Sequence, residues 1–199
     1  TNLCGACLPK FGGIIIDCSK MNKIIEINSL HEKVHEYCKD FSAQELPDFS
    51  VITTQADIDF ERNRSENGYN SSDAYLEELA VYRKIAEKMI EFDTVLFHAS
   101  VISVDGQAYA FTAKSGTGKS THTRLWREYL GDRAVMVNDD KPLIKISENT
   151  VTVYGTPYNG KHRLGNNIAV PLKAICILTR AENNSIIEIP PKEAYPTLL

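Results

Sequence analysis

Residues 113–122 read AKSGTGKSTH, one residue short of G-x-x-x-x-G-K-[ST], the pattern of a loop that wraps nucleotide phosphates. No other feature restricts the fold so strongly, because such a loop works only where a strand runs into it and a helix leaves it. Both flanks are present: QAYAFT (107–112) is strand-like, and STHTRLWREYL reads as a helix closed by Gly131 at a C-cap position. Ahead of them VLFHASVISV (95–104) alternates and ends at Asp105-Gly106, the strongest short hairpin signal. The strand entering the loop is therefore expected to have an antiparallel neighbour immediately before it. Common nucleotide hydrolases instead surround this loop with a mostly parallel, helix-connected sheet.

The rest of the chain reads as further strands around a few helices. GGIIIDC and NKIIEI form an expected pair, and DFSVITTQ a third strand. SLHEKVHEYCKDF between them has helical spacing at Leu30, Val34, Tyr37 and Phe41. RNRSENGYNSS (62–72) is a polar loop and the expected boundary between a small N-terminal α/β region (1–70) and a core carrying the phosphate loop (71–199). From Ser72, a capping residue, to about Glu91 the spacing predicts an amphipathic helix with Tyr75, Leu79, Tyr82, Ala86 and Met89 on its apolar face. Asp73, Glu77 and Glu78 suit its positive N-terminal end. RAVMVNDD is a short buried strand, KPLIKI and VTVYGTP a hairpin across Ser147–Thr150, LKAICILTR a central strand and IIEIPP one more. YNGKHRLGNN (158–167) is a polar loop bearing Lys161, His162 and Arg163. PKEAYPTLL starts a helix with nothing after it, so the chain is expected to be truncated at its C-terminus.

In the loop, consecutive backbone N–H groups can converge on an anion at a helix N-terminus. Ala113, Lys114, Ser115, Gly116, Thr117, Gly118, Lys119, Ser120 and Thr121 are the residues expected to hold the nucleotide. Lys119 would reach the β- and γ-phosphates and the Ser120 hydroxyl would bind Mg²⁺. Ala113 replaces the first glycine, which costs little at negative φ and distorts the turn at positive φ. Asp139 and Asp140 close the strand after the loop helix, where a carboxylate for the metal is expected. Adjacent strand side chains point to opposite faces, and two like charges can raise one pKa to suit a general base. His98, on the strand expected to pair with the one entering the loop, is by itself an ordinary strand histidine.

Together FHASVISVDGQAYAFTAKSGTGKST and VMVNDDKPLI resemble the catalytic core of the HPr kinase/phosphorylase family, within the phosphoenolpyruvate carboxykinase-like superfamily. YGTPYNGK and NNIAVPLKAICIL resemble an uncharacterised HPr-kinase-like branch of it, and the likeness covers roughly residues 95–180. The resemblance implies an α/β fold with a mixed, largely antiparallel sheet, a phosphate loop and flanking helices. It implies an enzyme that uses ATP and Mg²⁺ to phosphorylate a hydroxyl of a peptide, protein or small molecule. His98 and Asp140 would be the catalytic acid–base pair, Ser120 and Asp139 the metal ligands, and Lys161 or Arg163 a clamp on the transferred group. The rival from another class is a nucleotide-binding sensor or scaffold, which needs Lys119 but no acid–base pair.

Composition narrows the partners. A net charge of -4 with no basic run argues against nucleic acid. No apolar run approaches the roughly 18 residues of a membrane span, and no signal-peptide pattern opens the chain, so a cytoplasmic protein, able to form homo-oligomers, is expected. The 5 cysteines, an odd number, suit a reducing compartment. Cys4 and Cys7 form a C-x-x-C that reads as coincidence or as half of a zinc site.

Overall fold

Two β-sheets and five helices make up the described part of the chain, residues 11–21, 23–64, 70–160 and 162–198 of a computed structural model. Cys4, Cys7 and Lys161 lie outside these residues. The small sheet has the order β1 (Phe11–Cys18), β2 (Lys23–Ser29), β3 (Phe49–Ile52), the first pair antiparallel and the second parallel. Helix α1 (Lys33–Cys38) makes the crossover between β2 and β3.

The large sheet has seven strands in the order β4 (Thr94–Leu96), β8 (Leu143–Ile146), β9 (Val151–Tyr154), β10 (Ala169–Ile177), β6 (Gln107–Thr112), β5 (Ser100–Val104), β7 (Ala134–Asn138). Every neighbouring pair is antiparallel except β10 with β6. The fold is therefore mixed α/β with a largely antiparallel sheet and flanking helices. Asp105 (φ 49) and Gly106 (φ 80) make the tight turn between β5 and β6, both at positive φ as a primed hairpin turn requires. Among the described residues no helix is long and apolar enough to cross a membrane.

Helix α3 (Asp73–Met89) links the sheets. The Ser72 side chain caps it by accepting from the Tyr75 N–H at 3.3 Å. Its buried face only partly follows the spacing-based one: Tyr82 and Met89 are buried as expected, but so are Leu76, Glu77, Ala80, Val81 and Ile85 beside them, while Tyr75 is 42% exposed. The reason is a second packing surface. One apolar cluster takes Ile16, Ile25 and Ile27 from the small sheet, Val81, Ile85 and Met89 from α3, and Leu143 and Tyr154 from the large sheet. Glu77 does not serve the helix end as expected, but is fully buried and accepts from the Leu30 and His31 N–H groups and the Thr53 hydroxyl. Buried carboxylates persist only with such donors.

Three other expectations change. Gln55–Arg64, which takes in the end of the expected strand DFSVITTQ and the first three residues of the expected polar loop, is helix α2, tied to α3 by Arg83–Glu61, Lys84–Asp57 and Arg62–Asp73 ion pairs. The run 95–104 is two strands, because the chain leaves β8 after Leu96 and joins β6 and β7 from Ser100. His98 thus lies in the break between strands. Finally, IIEIPP forms no strand: among the described residues it pairs with no other strand, and Ile186 and Ile187 are exposed in the connection to α5 (Pro191–Leu198).

Candidate functional site

Four chain segments meet at one end of the large sheet. Ile177 pairs with Thr112, Phe111 with Ser100, and Val101 with Asn138. The ends of β10, β6 and β7 and the start of β5 are therefore level. Across that end, residues 178–180, the loop 113–118, His98 and the Asp139-Asp140 pair follow one another in sheet order.

The loop connects β6 to helix α4 (Lys119–Leu130). Gly116 (φ 75) and Gly118 (φ 119) hold backbone conformations that L-residues rarely adopt, the kind of turn in which successive N–H groups can converge on an anion. Ala113 is not among the described non-glycine residues at positive φ, so its methyl group imposes no strain. The His122 N–H makes the first helical bond to the Gly118 carbonyl at 2.9 Å. Lys119 is buried, and its Nζ donates to the Ala113 carbonyl at 3.1 Å, folding back along the loop. Lys114, Ser115, Ser120 and Thr121 are exposed. Helix α4 is seated by Trp126, which packs on Tyr109 and Phe111, and by Thr123, whose Oγ1 lies 2.8 Å from Ser100 Oγ.

The two carboxylates diverge, as adjacent residues at a strand end should. Asp139 is buried and accepts from Ser100 Oγ at 2.6 Å, at the foot of α4. Asp140 turns the other way, its Oδ1 3.4 Å from His98 Nε2. Backbone bonds keep His98 there: Phe97 N–H to the Pro142 carbonyl, Ala99 N–H to the Asp140 carbonyl, and Thr112 Oγ1 to the His98 carbonyl at 3.0 Å.

Asn138, which sequence reasoning passed over, sets the turn. Its fully buried side chain accepts from the Asp140 and Lys141 N–H groups at 2.9 and 2.8 Å and donates to Thr156 Oγ1 at 3.0 Å. The Thr156 hydroxyl in turn donates to the Lys141 carbonyl at 2.9 Å. The Asn-Asp-Asp order was the available signal, since an asparagine side chain readily bonds backbone groups two or three residues on.

The expected rise in one carboxylate pKa does not occur at Asp140. Burial pushes its pKa up, but the His98 hydrogen bond and the charges of Lys141, His98 and Lys119 outweigh burial and hold it below the usual Asp value. Cations, not the neighbouring carboxylate, dominate its surroundings.

Of the two clamp candidates, Arg163 (φ 49) places its guanidinium over the Tyr37 ring, 4.4 Å from the centroid. The arginine that does touch the loop is Arg180, whose Nη2 donates to the Gly116 carbonyl at 2.6 Å. Its position just past the central strand marks it, once β10 is known to run parallel to β6.

Residues 70–198 match the family described as SynChlorMet cassette protein ScmC. The chain belongs to that family. The ScmC match takes in α3, the whole large sheet, the loop and the Asp139-Asp140 turn, and starts after the small sheet and α2. Among solved structures, the Hpr(Ser) kinase/phosphatase from Coxiella burnetii is similar to this ScmC-family chain at 16% identity and a TM-score of 0.33. That likeness covers 48% of this chain and 66% of the other's length, and is a distant structural one. No curated protein matches the chain.

Proposed function

We propose that this chain is an HPr-kinase-like phosphotransferase that moves the γ-phosphate of Mg-ATP to a hydroxyl of a peptide, protein or small molecule. The observation that carries the reading is the placing of the His98–Asp140 pair, 3.4 Å apart, beside the Lys119 end of a strand–loop–helix phosphate motif. A nucleotide sensor needs the loop and Lys119; it has no use for an acid–base pair on the loop's flank.

Each residue then has a defined task. The loop N–H groups receive phosphate oxygens, and Lys119 exchanges its bond to the Ala113 carbonyl for one to phosphate. Asp140, ionised at neutral pH, orients the acceptor hydroxyl and takes its proton, while His98 holds the carboxylate in place. Ser120 and Asp139 fit Mg²⁺ as hard oxygen donors, one hydroxyl and one carboxylate. Such an ion takes few protein ligands and completes its shell with water and phosphate oxygens. Bound there, Mg²⁺ would neutralise charge on the phosphates.

Phosphorus NMR of Mg-ATP with stoichiometric protein and a panel of hydroxyl acceptors, water included, tests the reading. Slow transfer even to water gives ADP, and Lys119→Ala is expected to abolish it. An ATP spectrum unchanged overnight across the panel would overturn the transferase in favour of the sensor.

A further inference from the structure

The sheet order puts Arg180 on one flank of the phosphate loop and His98 with Asp140 on the other. The proposed acid–base pair lies only on the β5–β7 flank. On the β10 flank a cleft of about 380 Å³ opens between the loop, α4 and the segment after β10, lined by Gly116, Thr121, His122, Leu125, Leu178 and Arg180. Arg180 is exposed, and among the described residues no ion pair neutralises it. A guanidinium carries five N–H donors, and its contact to the Gly116 carbonyl leaves it next to a loop built to attract anions.

We infer that Arg180 is a second anion-binding group of the loop, acting on the phosphates that are not transferred, those of a nucleoside diphosphate. The inference rests on the phosphotransferase reading. With the transferred phosphate facing Asp140 and His98, the diphosphate end lies toward β10, where Arg180 exchanges the Gly116 carbonyl for phosphate oxygen. Planar guanidinium donors match two such oxygens at once, which an ammonium cannot do. Leu125 and Leu178 then border the nucleoside.

Calorimetric titration of Mg-ADP into the wild type, Arg180→Ala, Arg180→Gln and His98→Ala tests this. Loss of a charge-assisted bond predicts ADP binding about ten- to hundredfold weaker in both Arg180 variants, with His98→Ala like the wild type. The salt dependence of binding should also flatten in Arg180→Gln, since a charge has gone. Wild-type affinity in Arg180→Gln would show a hydrogen-bonded latch on Gly116 and overturn the inference, as would wild-type affinity in Arg180→Ala. These outcomes leave the phosphotransferase reading standing; a wild type that binds no ADP overturns both. Because Arg180 is exposed, the variants should keep their thermal stability, which a melting curve checks.

Discussion

Asp140→Asn is expected to lower phosphoryl transfer by about 10²–10⁴-fold while leaving ADP affinity unchanged. The substitution keeps the shape and removes the charge that, in the proposed mechanism, receives the hydroxyl proton. The loop, Lys119 and Arg180 do not depend on it for their contacts. Its pH behaviour follows from the direction of the shift. Asp140 has a folded-state pKa below its unfolded value, so its contribution to stability is present above the unfolded value and is lost as pH falls through the folded one. Between neutrality and about pH 5, activity should therefore show no loss from Asp140 protonation. His98→Ala removes one of the groups that lower the pKa, so acid-induced loss should begin at higher pH in that variant. A matched set of single-turnover rates and acid denaturation curves reads both effects. Equal rates in wild type and Asp140→Asn would remove Asp140 from the chemistry.

Gly155→Ala is expected to cost about 4 kcal/mol or more, a large share of the roughly 5–15 kcal/mol that holds a domain together. A Cβ on Gly155 would sit 1.8 Å from the Asn166 carbonyl oxygen and 2.7 Å from that of Val137. Both obstacles are backbone, so no side-chain rotation relieves them. Nor can the backbone withdraw freely: Gly155 N–H bonds the Ile168 carbonyl, and Asn166 N–H bonds the Val137 carbonyl. Val137 immediately precedes Asn138, so displacement would also disturb the turn that aims Asp139 and Asp140. At about 2–4 °C per kcal/mol for a chain of this size, the melting temperature should fall by about 8 °C or more. A fall of less than about 3 °C would mean that the backbone around Gly155 yields more easily than these bonds allow.

Local signals in the sequence account for the elements around the loop. Asp105-Gly106 announced the β5–β6 hairpin, and Gly131 the end of α4, where its N–H bonds the Arg127 carbonyl. What stayed illegible depends on partners distant in the chain. Helix α2 has little apolar periodicity and is held by ions on α3. On α3 the expected stripe accounts for buried Tyr82 and Met89 but not for its neighbours, because that helix packs between two sheets and residues beside the stripe are buried too. The break at His98 is invisible in an alternating run, since only pairing partners decide where one strand ends and the next begins. IIEI has the composition of a strand but pairs with no strand among the described residues. In the candidate site, Lys119, Asp139 and Asp140 stand close in sequence to recognisable motifs. Asn138 and Arg180 gain their meaning only from the turn and the parallel β10–β6 pair.

In the proposed function the loop from Ala113 to Thr121 is a working phosphate cradle despite its missing first glycine. Calorimetric titration of Mg-ATP into wild type and Lys119→Ala tests it most directly. A working cradle requires binding by the wild type that Lys119→Ala loses and His98→Ala keeps. A wild type that binds no Mg-ATP, or a Lys119→Ala protein that binds it equally well, would contradict it.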